Sequence, residues 1–369
     1  MRSTTDCLVI GGGLIGMLTA RELVATGHDV TIVEKGRLGG ESTWAGGGIL
    51  SPLYPWRYSP AVTALASWGQ ARYPRLIEEL RDTTGIDPQW EPCGLLMLDT
   101  PETAQALQWA QAHDQALERI EGDAAARLEP GLGFTPDGAL WMSEVAHVRN
   151  PRLIRALRAS LERLGVNLRE GEAVRELSHR GGRISGVRTD RGYIAAGQVV
   201  VAGGAWSASL LAGMGLETGI EPVRGQMLLF EALPGVVRRI VMNAGHYLIP
   251  RRDGHVLAGS TVEYVGFDKS TTDAAHQLLY EAALRLVPAL GDFPVVGHWA
   301  GLRPGNREGV PSIGAVPGIE GLFINSGHFR NGVVLGLGSA RLLAEIMLKI
   351  TTTIIDPDPY RVAGISALA

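Results

Sequence analysis

Gly11-Gly12-Gly13-Leu14-Ile15-Gly16 is a G-x-G-x-x-G, a spacing whose chemistry is phosphate binding by backbone. Gly11 permits a tight turn, Gly13 lets the backbone approach a pyrophosphate, and Gly16 lets a helix pack close to the preceding strand. Phosphate charge then sits against the free N–H groups of that helix's N-terminus. Glu34 can accept hydrogen bonds from an adenosine ribose, which argues against a 2′-phosphorylated nucleotide. Ser42 and Thr43 offer hydroxyls to phosphate, and Gly46-Gly47-Gly48 lets backbone lie against something flat or charged. Together these residues point to a dinucleotide site.

Arginine, tyrosine and histidine supply the remaining candidates. Arg303, followed by Pro304, carries a guanidinium that matches a carboxylate in bidentate fashion; from position alone it is equally a structural arginine. The Tyr247 hydroxyl can donate to a carboxylate. His246 and His328 invite a general-base role, but a histidine on a strand or turn more often only hydrogen-bonds. Trp44 and Trp206 are expected to pack near a cofactor rather than react.

These residues need a scaffold. Cys7 to Ile10 reads as a strand buried on both faces, Leu14 onward as a helix capped at Gly27, and Val30 to Val33 as a second strand ending on Glu34. Pro60 to Thr84 has helical periodicity, Gly94 to Leu98 reads as a strand, and Glu102 to Ile120 as one amphipathic helix. A helix opens at Asn150-Pro151, and a meander follows with turns at Gly181-Gly182 and Asp190-Arg191-Gly192. Gln198 to Val201 is a buried strand ending in a glycine turn. Val223 to Phe230, Tyr247 to Pro250 and His255 to Gly259 predict a second sheet, with a helix from Ala274 to Leu286. Val295 to Leu302 is a strand delivering Arg303 at its end. Leu322 to Asn325, a glycine turn and a helix from about Val334 to Ile350 repeat the opening pattern and should return to the first sheet.

The expected class is α/β: a discontinuous Rossmann-like domain of residues 1–58, 146–215 and 300–369. Residues 59–145 and 216–299 form a substrate domain on a mostly antiparallel sheet, with the cofactor where the two meet.

With 369 residues, 45% hydrophobic and 20% charged, the chain is an ordinary globular one. A net charge of −4 gives no basic field for nucleic acid or an anionic membrane. Two cysteines, Cys7 and Cys93, are too few for a disulfide framework, and no thiol or histidine spacing suits a metal. The apolar runs are too short or too glycine-rich to span a bilayer. The first strand starts almost at once, so no signal peptide is expected and the reading is a cytoplasmic protein.

The fingerprint ending at Glu34, Ser42-Thr43 with the glycine run, Val201-Ala202-Gly203-Gly204-Ala205-Trp206-Ser207, Gly301-Leu302-Arg303-Pro304 and Gly327-His328-Phe329-Arg330-Asn331-Gly332 resemble the FAD-dependent amine oxidases. That family includes D-amino-acid oxidase, sarcosine oxidase and glycine oxidase, and the glycine oxidases of thiamine biosynthesis resemble this chain most. The resemblance spans nearly the whole sequence. It implies FAD, held by Gly11, Gly13, Leu14, Ile15, Gly16, Glu34, Lys35, Ser42, Thr43, Gly47, Gly48, Ile49, Val174, Gly203, Trp206, His328, Phe329, Arg330, Asn331, Gly332, Val333 and Val334. It makes Arg303 the partner of a substrate carboxylate, Tyr247 a second donor to it, and Arg330 a further active-site arginine. Ile49 and Val262, where family glycine oxidases carry methionine, would line the substrate pocket with His246 nearby. No cysteine follows Cys93, so the FAD is expected without a covalent link.

The implied reaction is hydride transfer from the α-carbon of glycine, sarcosine or a small D-amino acid to the flavin. Oxygen then gives hydrogen peroxide, and the imine is useful for the thiazole of thiamine. The alternative is a D-amino-acid or proline-type dehydrogenase of the same fold using another acceptor. Partners would be a small amine, oxygen and further copies of the chain, a homotetramer by resemblance, with no nucleic acid or membrane.

Overall fold

Thr4–Ile10 forms β1, Leu14–Ala25 α1, Val30–Glu34 β2 and Ser42–Ala45 α2. The apolar run of β1 is divided by its two-residue period: Cys7 and Val9 enter the core on the α1 side, Leu8 and Ile10 the core on the other. A strand covered on both faces needs this unbroken apolar pattern. The computed structural model describes residues 4–306, 308–351 and 355–362. The ends of the expected cofactor domain, 1–3 and 363–369, lie outside the described residues.

The predicted helix from Pro60 to Thr84 is two helices, α3 (Pro60–Gln70) and α4 (Tyr73–Thr84). Pro74 is tolerated only in a first turn, so the chain turns at Ala71-Arg72 and starts again. Gly85 closes α4 in the left-handed conformation, at φ 73°. Both helices pack into the core under β1, through Val62, Leu65, Leu76 and Leu80, although the sequence division puts them with the substrate domain.

β3 (Leu95–Leu98) is followed by α5 (Thr103–Ala112), β4 (Glu118–Glu121), α6 (Gly122–Leu128) and β5 (Gly138–Met142). The expected helix to Ile120 ends early because Asp114 is left-handed (φ 51°), and Glu118–Glu121 pairs with β5 instead. Next come α7 (Asn150–Arg163), β6 (Asn167–Glu170), β7 (Val174–Arg180), β8 (Arg183–Thr189), β9 (Gly192–Val201) and α8 (Ser207–Ala212). The second sheet continues with β10 (Glu221–Phe230), β11 (Ile240–Asn243), β12 (His246–Pro250) and β13 (Val256–Gly259), then α9 (Asp273–Leu286) and β14 (Val295–Gly305). The chain returns through β15 (Ser312–Ala315), β16 (Leu322–Ser326) and α10 (Gly332–Met347).

The first sheet runs β15-β16-β9-β1-β2-β6, with β8 paired to β9 and β7 to β8. Its four central neighbours β16, β9, β1 and β2 are parallel, the Rossmann-like arrangement. The second sheet runs β14-β10-β13-β12-β11-β3-β5-β4, antiparallel except where β11 meets β3. On β10, Leu228 and Phe230 face α9 while Met227 faces the first unit. β14 continues through Gly305, so Arg303 lies within a strand rather than at its end.

Candidate active site

A cavity of about 480 Å³ lies where the two sheets approach, within the size range of ligand sites. The β1–α1 turn builds one end. Gly11 (φ 107°) is so close to Ala202 that a Cβ would strike its carbonyl, and a Cβ on Gly16 would overlap the Gly11 carbonyl. Gly16 thus sits behind the cavity, as the spacing of turn and helix requires. At Gly13 a Cβ would meet nothing nearer than Thr43 Oγ1 at 3.5 Å, so that backbone is open to the cavity. Leu14 N–H donates to Thr43 Oγ1 at 3.0 Å. The Glu34 carboxylate is buried and accepts the N–H groups of Gly12 and Gly36, each at 2.8 Å. Its remaining lone pairs can serve a ribose.

The glycine run forms the middle wall. The carbonyls of Thr43 and Gly46 accept from Asn150 Nδ2 (2.7 and 2.9 Å), that of Gly47 from Arg251 (2.7 Å) and that of Gly48 from Val148 N–H (2.9 Å). The N–H groups of Gly47, Gly48 and Ile49 have no acceptor among the described residues, and all three residues line the cavity. Three such donors in a row suit the oxygen and nitrogen acceptors of a flat heterocycle.

The second sheet supplies the far wall. Register places Trp299, Met227, Gly259 and Tyr247 side by side across β14, β10, β13 and β12, so all four share one face. Arg303, four residues along β14 from Trp299, shares that face. Its guanidinium donates to the carbonyls of Arg224 (3.3 Å) and Thr261 (3.0 Å) and to Ser260 Oγ (2.8 Å). Burial lowers its pKa, the neighbouring Tyr247 hydroxyl opposes that, and the charge of Arg330 lowers it further. Both Arg303 and Tyr247 line the cavity.

The return segment closes the site. His328, Phe329, Arg330, Gly332 and Val333 line it, and the first turn of α10 aims its N–H groups and positive dipole end there. Phe329 is left-handed (φ 46°) and donates to the Pro304 carbonyl at 2.9 Å. Leu14, Ile15, Glu34, Lys35, Ser42, Thr43, Val174, Gly203 and Trp206 line the opposite end. The Lys35 ammonium lies 3.1 Å from the Trp206 ring centre, and Trp206 in turn meets Phe267 at 5.4 Å. Lys269 bonds Glu41 at 3.1 Å.

Five expected residues stand elsewhere. His246 precedes Tyr247 on β12, so alternation turns it to the α9 side, where burial and then the charge of Arg285 lower its pKa. Val262 is 42% exposed: its neighbours are anchored inward, Thr261 Oγ1 to Gln226 N–H and Glu263 to Arg224, which turns Val262 to solvent. Asn331 is buried, its carbonyl accepting Leu335 N–H at the start of α10, and Val334 packs in the core beside α3. Gly16 is the fifth. His328 does reach the cavity, but Ser339 Oγ donates to Leu335 O, so it accepts from His328 Nε2–H at 2.8 Å. Burial pushes that imidazole down to about 3, leaving it neutral and fixed. Gly225, Met227, Ser260 and Arg251 were not singled out from sequence. Strand alternation from Tyr247 is a sequence signal for Arg251; Gly225 and Met227 come to the cavity through the register of β10 against β14.

Residues 6–346 match the family model of FAD dependent oxidoreductases, DAO. The chain belongs to that family. A glycine oxidase of Pseudomonas aeruginosa is 51% identical over 97% of this chain and 98% of its own length. A bifunctional protein ThiO/ThiG of Trichormus variabilis is 32% identical over 94% of this chain, which covers 53% of that longer protein. The crystal structure of glycine oxidase from Geobacillus kaustophilus superposes with a TM-score of 0.93 at 30% identity, covering 98% of this chain and 99% of that one. As a DAO-family enzyme the protein uses FAD, and the cavity fits it: open backbone at Gly13 for the pyrophosphate, Glu34 for the ribose, and the unpaired donors of Gly47 to Ile49 for the ring. No helix among the described residues is long and apolar enough to cross a membrane.

Proposed function

We propose that this enzyme oxidises glycine and similar small amines, such as sarcosine and small D-amino acids. The observation that carries the reading is the meeting of Arg303 and Tyr247 in the cavity wall opposite the free N–H groups of Gly47 to Ile49. That arrangement suits a small carboxylate-bearing amine held against a flat cofactor. The glycine oxidase names of the relatives at 51% and 48% identity support it.

Arg303 binds the substrate carboxylate in bidentate geometry, and Tyr247 donates a further hydrogen bond. Arg330, on the return segment, adds positive charge at the same end. These contacts orient the α-C–H bond, and orientation is the protein's main contribution to such a step. Bound FAD supplies the hydride acceptor. No residue need act as a base; His328 is held neutral by burial and its bond to Ser339, and His246 faces away. Ile49, half-buried in the wall, limits side-chain size. Both cysteines are buried away from the cavity, which favours FAD held without a covalent bond. We take oxygen as the electron acceptor, giving hydrogen peroxide, and the imine as a supply for the thiazole of thiamine, in line with the ThiO/ThiG relative. A cytoplasmic homotetramer is the expected form.

The test is the absorption spectrum of the purified protein, anaerobically, before and after glycine. Bleaching that reverses in air with release of peroxide is expected. A yellow protein unmoved by glycine, sarcosine or D-alanine would sink the substrate assignment.

A further inference from the structure

Arg251 is 7% exposed and has no carboxylate in hydrogen-bond or ion-pair contact among the described residues. Its donors go to the Gly47 carbonyl (2.7 Å), the Val148 carbonyl (3.1 Å) and Nδ1 of His147 (2.8 Å). An arginine only donates, so His147 Nδ1 accepts and its proton is on Nε2, which is buried without a partner. Burial and the charges of Arg251 and Arg252 hold His147 neutral. Arg149 and Asp253, whose charges both act on Arg251, are paired with each other at 2.5 Å. A buried guanidinium compensated only by carbonyls and a neutral ring is costly, and an arrangement of that cost calls for a use.

Its place suggests one. Side chains alternate along β12 and just past its end, so Tyr247, Ile249 and Arg251 face the same way. Tyr247 meets the substrate end of the cavity. Ile249 lies against Gly47, where a Cβ would come within 2.6 Å of its Cδ1. Arg251 then holds the Gly47 carbonyl from behind. The same peptide wall is pinned by Val148 N–H on Gly48 and Leu50 N–H on the Ala146 carbonyl (2.8 Å). With the carbonyls of Gly46, Gly47 and Gly48 each held by a donor, the N–H groups of Gly47, Gly48 and Ile49 on the same peptides point the other way, to the cavity.

We propose that Arg251 is a positioning residue of the flavin wall: through the Gly47 carbonyl it fixes the Gly48 N–H, the middle donor of the run, toward the ring, and its uncompensated charge favours the negative charge that reduction places there. This rests on FAD occupying the cavity as described above, and not on which amine is oxidised. The charge acts through a low-dielectric wall, where Coulomb interactions are weakly screened. The clamp acts through geometry, because a planar fork can hold two carbonyls at once while an ammonium is a single point.

Two variants separate the effects, R251M and R251K, each purified with FAD and compared with wild type by FAD dissociation constant, absorption band shape and midpoint potential. R251M should lose about tenfold in affinity for reduced over oxidised FAD, read as a potential about 30 mV more negative for the two-electron couple. R251K should restore the potential yet still bind FAD about tenfold more weakly, with an altered band, because it cannot span both carbonyls. A folded R251M with wild-type potential, or R251K with wild-type affinity and band, overturns the proposal. Where R251M fails to fold, the R251K comparison decides alone. Wild type that takes up no FAD would instead overturn the cofactor reading underneath.

Discussion

The guanidinium of Arg303 lies flat against the backbone of Gly225, so close that a Cβ there would overlap both Nη atoms. The missing side chain at Gly225 leaves the trough the arginine occupies, while its β14 partner Gly301 makes room for Ala45. Gly225→Ala should therefore displace the guanidinium without touching substrate. The expected outcome is a Michaelis constant for glycine raised about tenfold or more, equal to about 1.4 kcal/mol, with FAD content unchanged. Steady-state kinetics beside a flavin assay check it; an unaltered Michaelis constant would show the trough to be dispensable.

Removing the arginine itself should cost more. Arg303→Ala leaves a carboxylate facing Tyr247 and Arg330 only, and hydrogen bonds to charged groups contribute about 1.5–3 kcal/mol. A rise of about 10- to 150-fold in the Michaelis constant is expected, with Arg303→Lys between the two. Kinetics equal to wild type in the alanine variant would refute the assignment.

At the other end of the cavity, Glu34 holds two N–H groups with its two oxygens. Glu34→Gln keeps one acceptor and turns the other into a donor facing an N–H. FAD affinity should fall about tenfold, from a loss of about 1–2 kcal/mol. Fluorescence titration of the apoprotein measures it, and equal affinity would remove Glu34 from the ribose site.

Acid should unfold the protein through its buried histidines. His328, pushed down to about 3 by burial, and His147, well below the ordinary 6.5 from burial and then Arg251, are neutral when folded and charged when unfolded. Below pH 6.5 the unfolded chain binds more protons, so stability falls as pH falls, by about 1.4 kcal/mol per unit for each histidine. For His328 this continues to about pH 3. Urea midpoints at about pH 6.5, 5.5 and 4.5 should decline, and His328→Asn should remove part of the slope. A flat profile would contradict the buried neutral state.

The thiols should be silent. Burial pushes Cys7 up to about 12 and Cys93 up to about 11, so neither is a thiolate near pH 8. A thiol reagent should label none in the native protein and two, the full complement, in denaturant.

The sequence exposed what local chemistry determines. Gly11, Gly13 and Glu34 line one cavity, with Gly16 packed behind it, because their spacing serves one strand–turn–helix; Arg303 and Tyr247, to which the resemblance pointed, line the same cavity. What it hid depends on partners far along the chain. The short strands β5, β11 and β15 carry too few residues for a period to register, and pairing alone makes them strands. His246 and Val262 were misplaced for the same reason: which face a residue takes is set by how its strand or segment docks, and a one-residue step reverses it. Arg251 escaped notice because nothing local announces that its partners are carbonyls at Gly47 and Val148.

The cofactor cavity draws its pyrophosphate end from residues 11–43 and its other end from residues 303–333, while β9 is inserted between β1 and β16. Long-range pairings of this kind close late and slowly. During synthesis, the opening strand–turn–helix leaves the ribosome with β2 able to pair on one side of β1, but the other side of β1 stays open until β9 emerges, and α10 follows only after residue 331. A nascent chain therefore has half a nucleotide site for most of its translation, and FAD can complete the core only as the last helix docks. Losses from the C-terminal helix should accordingly appear first as poor flavin incorporation during expression.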